Sequence, residues 1–184
     1  MDSGKLSVSL SVQLAAQLDL RKRRHQQERA DYKKQLEGEK MSPRAIRLEL
    51  ARVAPDWWPS LDVLVSGCVR RRLAEPDLAG PWAPLTEEEA VGLRLSGRWP
   101  GPAVRTPVRR SYLLPSDLIR DLRTASWRVS APALETFERQ GLTYDGHWSA
   151  SQLAERRRLA EQIHSPSRIV RQALERYARQ EAAE

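Results

Sequence analysis

The polarity of the chain changes period at two places about a hundred residues apart. Leu6, Val8 and Leu10 alternate with Lys5, Ser7 and Ser9, the two-residue period of a strand with one buried face. From Leu10 onward the apolar positions fall on every fourth residue, at Leu14 and Leu18, as on one face of a helix. Tyr112 and Leu114 repeat the alternation, and Leu118 and Leu122 repeat the four-residue step. At an offset of 104 residues, Ser7 meets Ser111, Leu10 meets Leu114, Leu14 meets Leu118 and Leu18 meets Leu122. The pattern predicts a short strand leading directly into a helix in each place. Pro115 is tolerated at a helix start, where Ser116 or Asp117 can serve the free amides.

A second pair of segments matches further along. Residues 60–74 and 165–179 both read as amphipathic helices headed by a serine. At an offset of 105 residues, Ser60 meets Ser165, Leu64 meets Ile169, Val65 meets Val170, Val69 meets Leu174 and Arg71 meets Arg176. Any two strand–helix segments of a Leu-rich chain share part of such a match. The near-equal offsets at both ends are what predict one duplicated unit.

Between the two units lies a proline-rich middle. Residues 76–107 hold six of the twelve prolines and four glycines, which excludes long helices and central strands. Only Thr86, followed by Glu87, Glu88 and Glu89, has the signature of a helix start. Trp82 and Trp99 predict that this connector packs on the protein. The expected division is 1–75, a first repeat; 76–107, the connector; and 108–184, a second repeat. Each repeat carries a helical insertion. In the first, Ser42-Pro43 opens a helix with Ile46, Leu50 and Val53. In the second, Ala131 to Gln140 reads as a helix stopped by Gly141, and another runs from Ser149 through Leu153 and Leu159 to Ile163.

A strand of alternating polarity, a helix, and a Ser-capped amphipathic helix ending in Arg resemble the ribbon-helix-helix family of DNA-binding proteins. The stretch from Arg109 to Arg123, taken with Ser165 to Tyr177, carries the resemblance most clearly. It covers about thirty residues of each half. The resemblance implies that two antiparallel strands enter the DNA major groove, that alternate strand side chains read bases, and that the second helix aims its N-terminus at a phosphate. Two features depart from the family: about forty residues separate the two helices of each copy, and the usual turn glycine is absent at both joints. The expected fold is therefore mainly α: two elaborated ribbon-helix-helix-like repeats in one chain, sharing one short antiparallel β-ribbon. Single-chain tandem members of the family occur among relaxosome accessory proteins of conjugative plasmids.

Charge agrees with a polyanionic partner. Lys and Arg number 31 against 24 Asp and Glu in 184 residues, a net charge of +7. The lone Cys68 excludes intramolecular disulfides and a Cys-rich zinc site, and reads as a small buried hydrophobe. The expectations are no cofactor and no metal. No apolar stretch has the length of a membrane span or the form of a signal peptide, so the reading is a cytoplasmic bacterial protein without a membrane partner. Of the basic residues 26 are Arg and 5 are Lys, a bias that suggests a GC-rich genome. No phosphate loop, nucleophile elbow or His-Glu-x-x-His is present, and His147 near Asp145 is a weak candidate for acid chemistry, so no enzyme is expected.

The candidate site follows from the ribbon. Period two puts Lys5, Ser7 and Ser9 on the outer face of one strand and Arg109, Ser111 and Leu113 on that of the other. Arg and Lys can donate to guanine O6 and N7, serine is adaptable, and leucine can touch a thymine methyl. Tyr112 and Leu114 take the core side, with Arg110 at the ribbon's end. Phosphate contact is expected from Arg21, Lys22, Arg23 and Arg24, and from Ser60, Ser165, Ser167 and Arg168 at the second-helix N-termini. Asp62 makes the Ser60 site the weaker one. The alternative for the basic run is a solvated helix face laced with ion pairs. Trp57 and Trp58 fit core packing better than base stacking. Together these readings predict a sequence-specific double-stranded DNA-binding protein, a repressor or a plasmid maintenance or transfer factor. It would be a monomer of pseudo-two-fold symmetry able to self-associate on DNA, and would prefer an asymmetric site. The alternative is a helical protein–protein adaptor with a basic face.

Overall fold

The computed structural model describes residues 3–90, 107–142 and 147–181. In chain order these form β1 (Ser3–Leu10), α1 (Val12–Gly38), α2 (Pro43–Trp57), α3 (Leu61–Leu73), β2 (Val108–Pro115), α4 (Ser116–Arg139), α5 (Ala150–Gln162) and α6 (Pro166–Glu181). The protein is mainly helical, with one small antiparallel sheet in which β1 pairs with β2. Ser7 stands opposite Ser111, Lys5 opposite Leu113 and Ser9 opposite Arg109. The residues that matched at an offset of 104 thus face each other across the ladder.

Alternation decides which face of this ribbon is buried. Val8, Leu10, Tyr112 and Leu114 are all at most 4% exposed and point into the interior. They rest on α3 and α6, which pack against each other beneath the sheet, α3 under β2 and α6 under β1. Leu14, Ala15 and Leu18 of α1, Leu118 and Leu122 of α4, Val65 and Val69 of α3, and Ile169, Val170 and Leu174 of α6 complete one cluster. Burying each Leu or Ile of this set contributes about 1.5–3 kcal/mol. The cluster draws on residues from both sides of the connector, so the two flanks share one interior. Cys68 belongs to it, and burial raises its thiol pKa.

Both strands of a two-stranded sheet are edges, and their outward backbone groups need partners. Helix side chains supply several. Ser167 Oγ donates to the Ser7 carbonyl at 3.2 Å, Arg171 donates to the Ser9 carbonyl at 3.3 Å, and the Leu113 N–H donates to Asp62 at 3.1 Å.

The long helices α1 and α4 run past the main core and are each backed by an inserted helix with its own cluster. Leu36 of α1 packs on Ile46 and Leu50 of α2. Ala133 and Phe137 of α4 pack on Leu159 and Ile163 near α5. Both helices end alike. Lys40 (φ 56°) and Gly141 (φ 63°) adopt the left-handed conformation. The next residue then bonds back to the last turn, Met41 N–H to the Leu36 carbonyl and Leu142 N–H to the Phe137 carbonyl. This is the Schellman motif, with its accompanying apolar contact.

The N-terminal caps follow the sequence. Ser11, Ser42, Ser60 and Ser149 each accept an amide of the first turn, and Ser149 with Gln152 forms a capping box. Thr86 and Glu89 form another, where a helical turn starts at Glu87.

Several expectations are corrected. Ala131 to Gln140 is not a separate helix: α4 runs unbroken from Ser116 through Pro132. Pro132 lacks only its own N–H, and the apolar contacts of Ala133 and Phe137 carry the helix past that gap. Arg110 is not at the ribbon's end but opposite Val8, where its guanidinium reaches Asp19 of α1 at 2.6 Å. Pro115, not Ser116 or Asp117, occupies the cap position of α4 and makes no side-chain bond, while the Asp117 carboxylate serves the Leu118 amide and pairs with Arg70 at 3.2 Å. Trp57 is 54% exposed rather than core; it leans edge-on against Trp58, with Tyr32 alongside both. Trp82, 38% exposed, donates from Nε1 to the Leu78 carbonyl within the connector at 2.9 Å, while Trp99 and half of the connector lie outside the described residues. Asp145 lies outside them too. Among the described residues no helix is long and apolar enough to cross a membrane, and no group of three or more His, Cys, Asp or Glu side chains is placed to hold a metal ion.

Candidate nucleic-acid interface

The outer face of the ribbon consists of three cross-strand pairs, Lys5 with Leu113, Ser7 with Ser111, and Ser9 with Arg109. Period two sets all six opposite the buried face, and all six reach solvent, with Lys5, Arg109, Ser111 and Leu113 exposed and Ser7 and Ser9 half-buried. At the middle of the face Ser7 Oγ and Ser111 Oγ lie 3.0 Å apart. The two cations lie diagonally on either side of this serine pair. Leu113 is 56% exposed, an apolar side chain on a face that is otherwise polar. The face is about three residue pairs long, and a two-stranded ribbon has the width of the DNA major groove.

Helix N-termini flank the ribbon on both sides. Ser60 caps α3 by accepting the Val63 amide at 3.2 Å. Ser165 caps α6 by accepting the Arg168 amide at the same distance. Free first-turn amides and the helix dipole favour an anion at such ends. Other predicted phosphate ligands are committed elsewhere. Arg168 donates to the carbonyls of Ala160 and Ile163 at 3.1 and 2.7 Å and so ties off the end of α5. Burial, and then the nearby Arg171 cation, lowers its pKa. The Ser167 hydroxyl is engaged with the strand. Asp62 does not simply repel anions: its carboxylate caps the exposed edge of β2, a role the sequence pattern did not show.

The four residues Arg21 to Arg24 do not form one patch, because successive residues on a helix are about 100° apart. Arg21 pairs with Glu181 and lies over the Tyr177 ring. Arg24 pairs with Glu28 on the exposed side of α1, and Arg23 bonds to the Asp19 carbonyl. Lys22, together with Arg21, lines a groove of about 430 Å³ with His25, Gln26, Arg29, Trp58 and Ser60. Arg29, seven residues after Lys22, was not singled out by the sequence; the cue is their shared helical face, legible only once the groove is known. Burial, then Arg21, lowers the His25 pKa.

No protein-family model matches this chain, and neither a curated protein nor a solved structure resembles it closely enough to count as a match.

Proposed function

We propose that the protein binds double-stranded DNA in a sequence-specific manner, with the β1–β2 ribbon seated in the major groove. The observation that carries this reading is the outer face of the ribbon. It is a short solvent-exposed surface with a serine pair at its middle, one cation in each half and an exposed leucine, flanked by two Ser-capped helix N-termini. Each group has a use there: Lys5 and Arg109 can donate to guanine, the serines to several bases, and Leu113 can meet a thymine methyl. The flanking helices supply amides for backbone phosphates, and the net positive charge draws the duplex in.

The strand register supports a duplicated unit in the elaborated ribbon-helix-helix manner. Helix starts fall 104 residues apart for α1 and α4 and 105 apart for α3 and α6. One chain then imitates the dimer of that family, with different side chains in its two halves. It acts as a monomer that prefers an asymmetric operator and can self-associate on DNA, in repression or in plasmid maintenance or transfer.

Selection from random duplexes tests this. Arg109→Ala should relax preference at one base pair, by about 1–3 kcal/mol, and leave non-specific affinity nearly intact. Lys5→Ala should do the same in the other half-site. If both variants keep the wild-type specificity profile, the ribbon does not read bases. Binding that resists salt and ignores competitor DNA would favour a helical adaptor for an acidic protein instead.

A further inference from the structure

The joint between each inserted helix and the helix after it is built differently on the two flanks of the ribbon. On the α5–α6 side the joint lies directly on α4. Ser126 Oγ donates to the His164 carbonyl at 2.6 Å, and the His164 N–H donates to Ser130 Oγ at 2.9 Å. Ser126 and Ser130 are fully buried and Ala133 nearly so. The positions 104 residues earlier on α1 are Lys22, Gln26 and Arg29, and all three are exposed. Their spacing puts them on one stripe of the helix. They face Trp58, Pro59 and Ser60 of the α2–α3 joint across the groove of about 430 Å³. Small side chains close one joint, and long polar ones, two of them cationic, line the other.

The open groove has the chemistry of an anion seat. Among the described residues Lys22 and Arg29 have no hydrogen-bond or ion-pair partner. The carboxylate on its wall, Asp62, accepts the Leu113 amide and keeps its charge, but it is outnumbered by the lining cations Arg21, Lys22, Arg29 and Arg110. Ser60 brings the N-terminus of α3 to the same place. Ser111 and Tyr112 of the ribbon line the groove as well, so it runs onto the edge of the outer face. A duplex whose major groove holds the ribbon carries its own phosphates past that edge.

Resting on the DNA-binding reading above, we infer that this groove takes the phosphodiester backbone on the α3 flank alone, so that the protein grips DNA further out on one side of its target than on the other. Lys22 and Arg29 are the contacting cations. On the α6 flank the corresponding positions, Ser126, Ser130 and Ala133, are buried and carry no cation.

Hydroxyl-radical footprinting on a duplex selected by the wild-type protein tests this. Wild-type protection should extend further on one flank. Lys22→Gln with Arg29→Gln should remove that outer protection, leave the ribbon half-sites protected, and flatten the salt dependence of log K by about 1.8 for two lost phosphate contacts. Arg23→Gln with Arg24→Gln removes the same charge outside the groove and should leave the outer protection in place. The groove assignment is overturned if wild-type protection is symmetric, if the first double variant changes neither flank nor slope, or if the second erases the same flank. A wild-type protein that protects no duplex would sink the DNA-binding reading itself.

Discussion

His164 is held by its backbone between two buried serines of α4, and the residue is half-buried there. Burial first, then the cations of Arg168 and Arg72, pushes its pKa below the ordinary 6.5. The folded protein therefore keeps this imidazole neutral where the unfolded chain has begun to protonate. Below about pH 6.5 the unfolded state binds more protons, so stability must fall as pH falls. His25 shifts in the same direction and adds to the effect. Thermal unfolding followed from about pH 7.5 to about pH 5.5 should show a declining Tm. His164→Asn should flatten the decline and leave a remainder due to His25; an unchanged slope would mean that His164 titrates as freely in the fold as outside it. Nearby, Arg72 is 3% exposed and lies against Asp77, with bonds of 2.7 and 2.6 Å, and against Glu75. The Arg72 bond is the main reason that the Asp77 carboxyl titrates below its ordinary range. No period in the sequence marks Arg72 as buried, because the carboxylates that make burial tolerable come after the helix has ended.

Two helices end on the same motif with different residues at its one demanding position. Gly141 adopts a left-handed φ without strain, whereas Lys40 carries a Cβ there. Lys40→Gly should stabilise the protein by about 1 kcal/mol, which for a chain of this length raises Tm by roughly 2–4 °C. Gly141→Ala should cost a similar amount, since its Cβ would meet nothing within 4 Å and only the backbone is strained. Calorimetry of the two variants, which should move in opposite directions, checks this. The same pair shows what a sequence reveals of such elements. Gly141 was legible as a stop, and Lys40 was not, because its stop comes from backbone bonds that any residue can make at a cost. The change from period two to period four at Leu10 and Leu114 located both strands and their buried faces, since alternation has only one interpretation on a half-buried sheet. Pro132 misled in the other direction. The sequence predicts a helix beginning beside it at Ala131, but α4 runs through Pro132 unbroken, with Ala133 and Phe137 packed beyond it. The groove beside Lys22 was illegible for a different reason: it depends on what lies opposite α1, and polarity along a helix does not carry that.

The two flanks cannot be separated without exposing their shared interior. Val8 and Leu10 from one side of the connector pack with Tyr112, Leu114 and Ile169 from the other. Residues 1–90 and 107–184 expressed alone should therefore fail to unfold cooperatively. Expressed together they should co-purify as a one-to-one complex that unfolds cooperatively, as judged by sedimentation and circular dichroism. A cooperative transition in either half alone would show that it holds a core of its own.

Pairing β1 with β2 inside one polypeptide changes what dilution does. Strands carried on separate chains part as protein becomes scarce, because assembly depends on encounter. Tethered strands meet at a local concentration fixed by the chain between them. The outer face of the ribbon is then as complete in a cell holding one molecule as in a cell holding a thousand. On the DNA-binding reading proposed above, occupancy of an operator by one molecule would rise with the first power of protein concentration, with no threshold below which the surface ceases to exist.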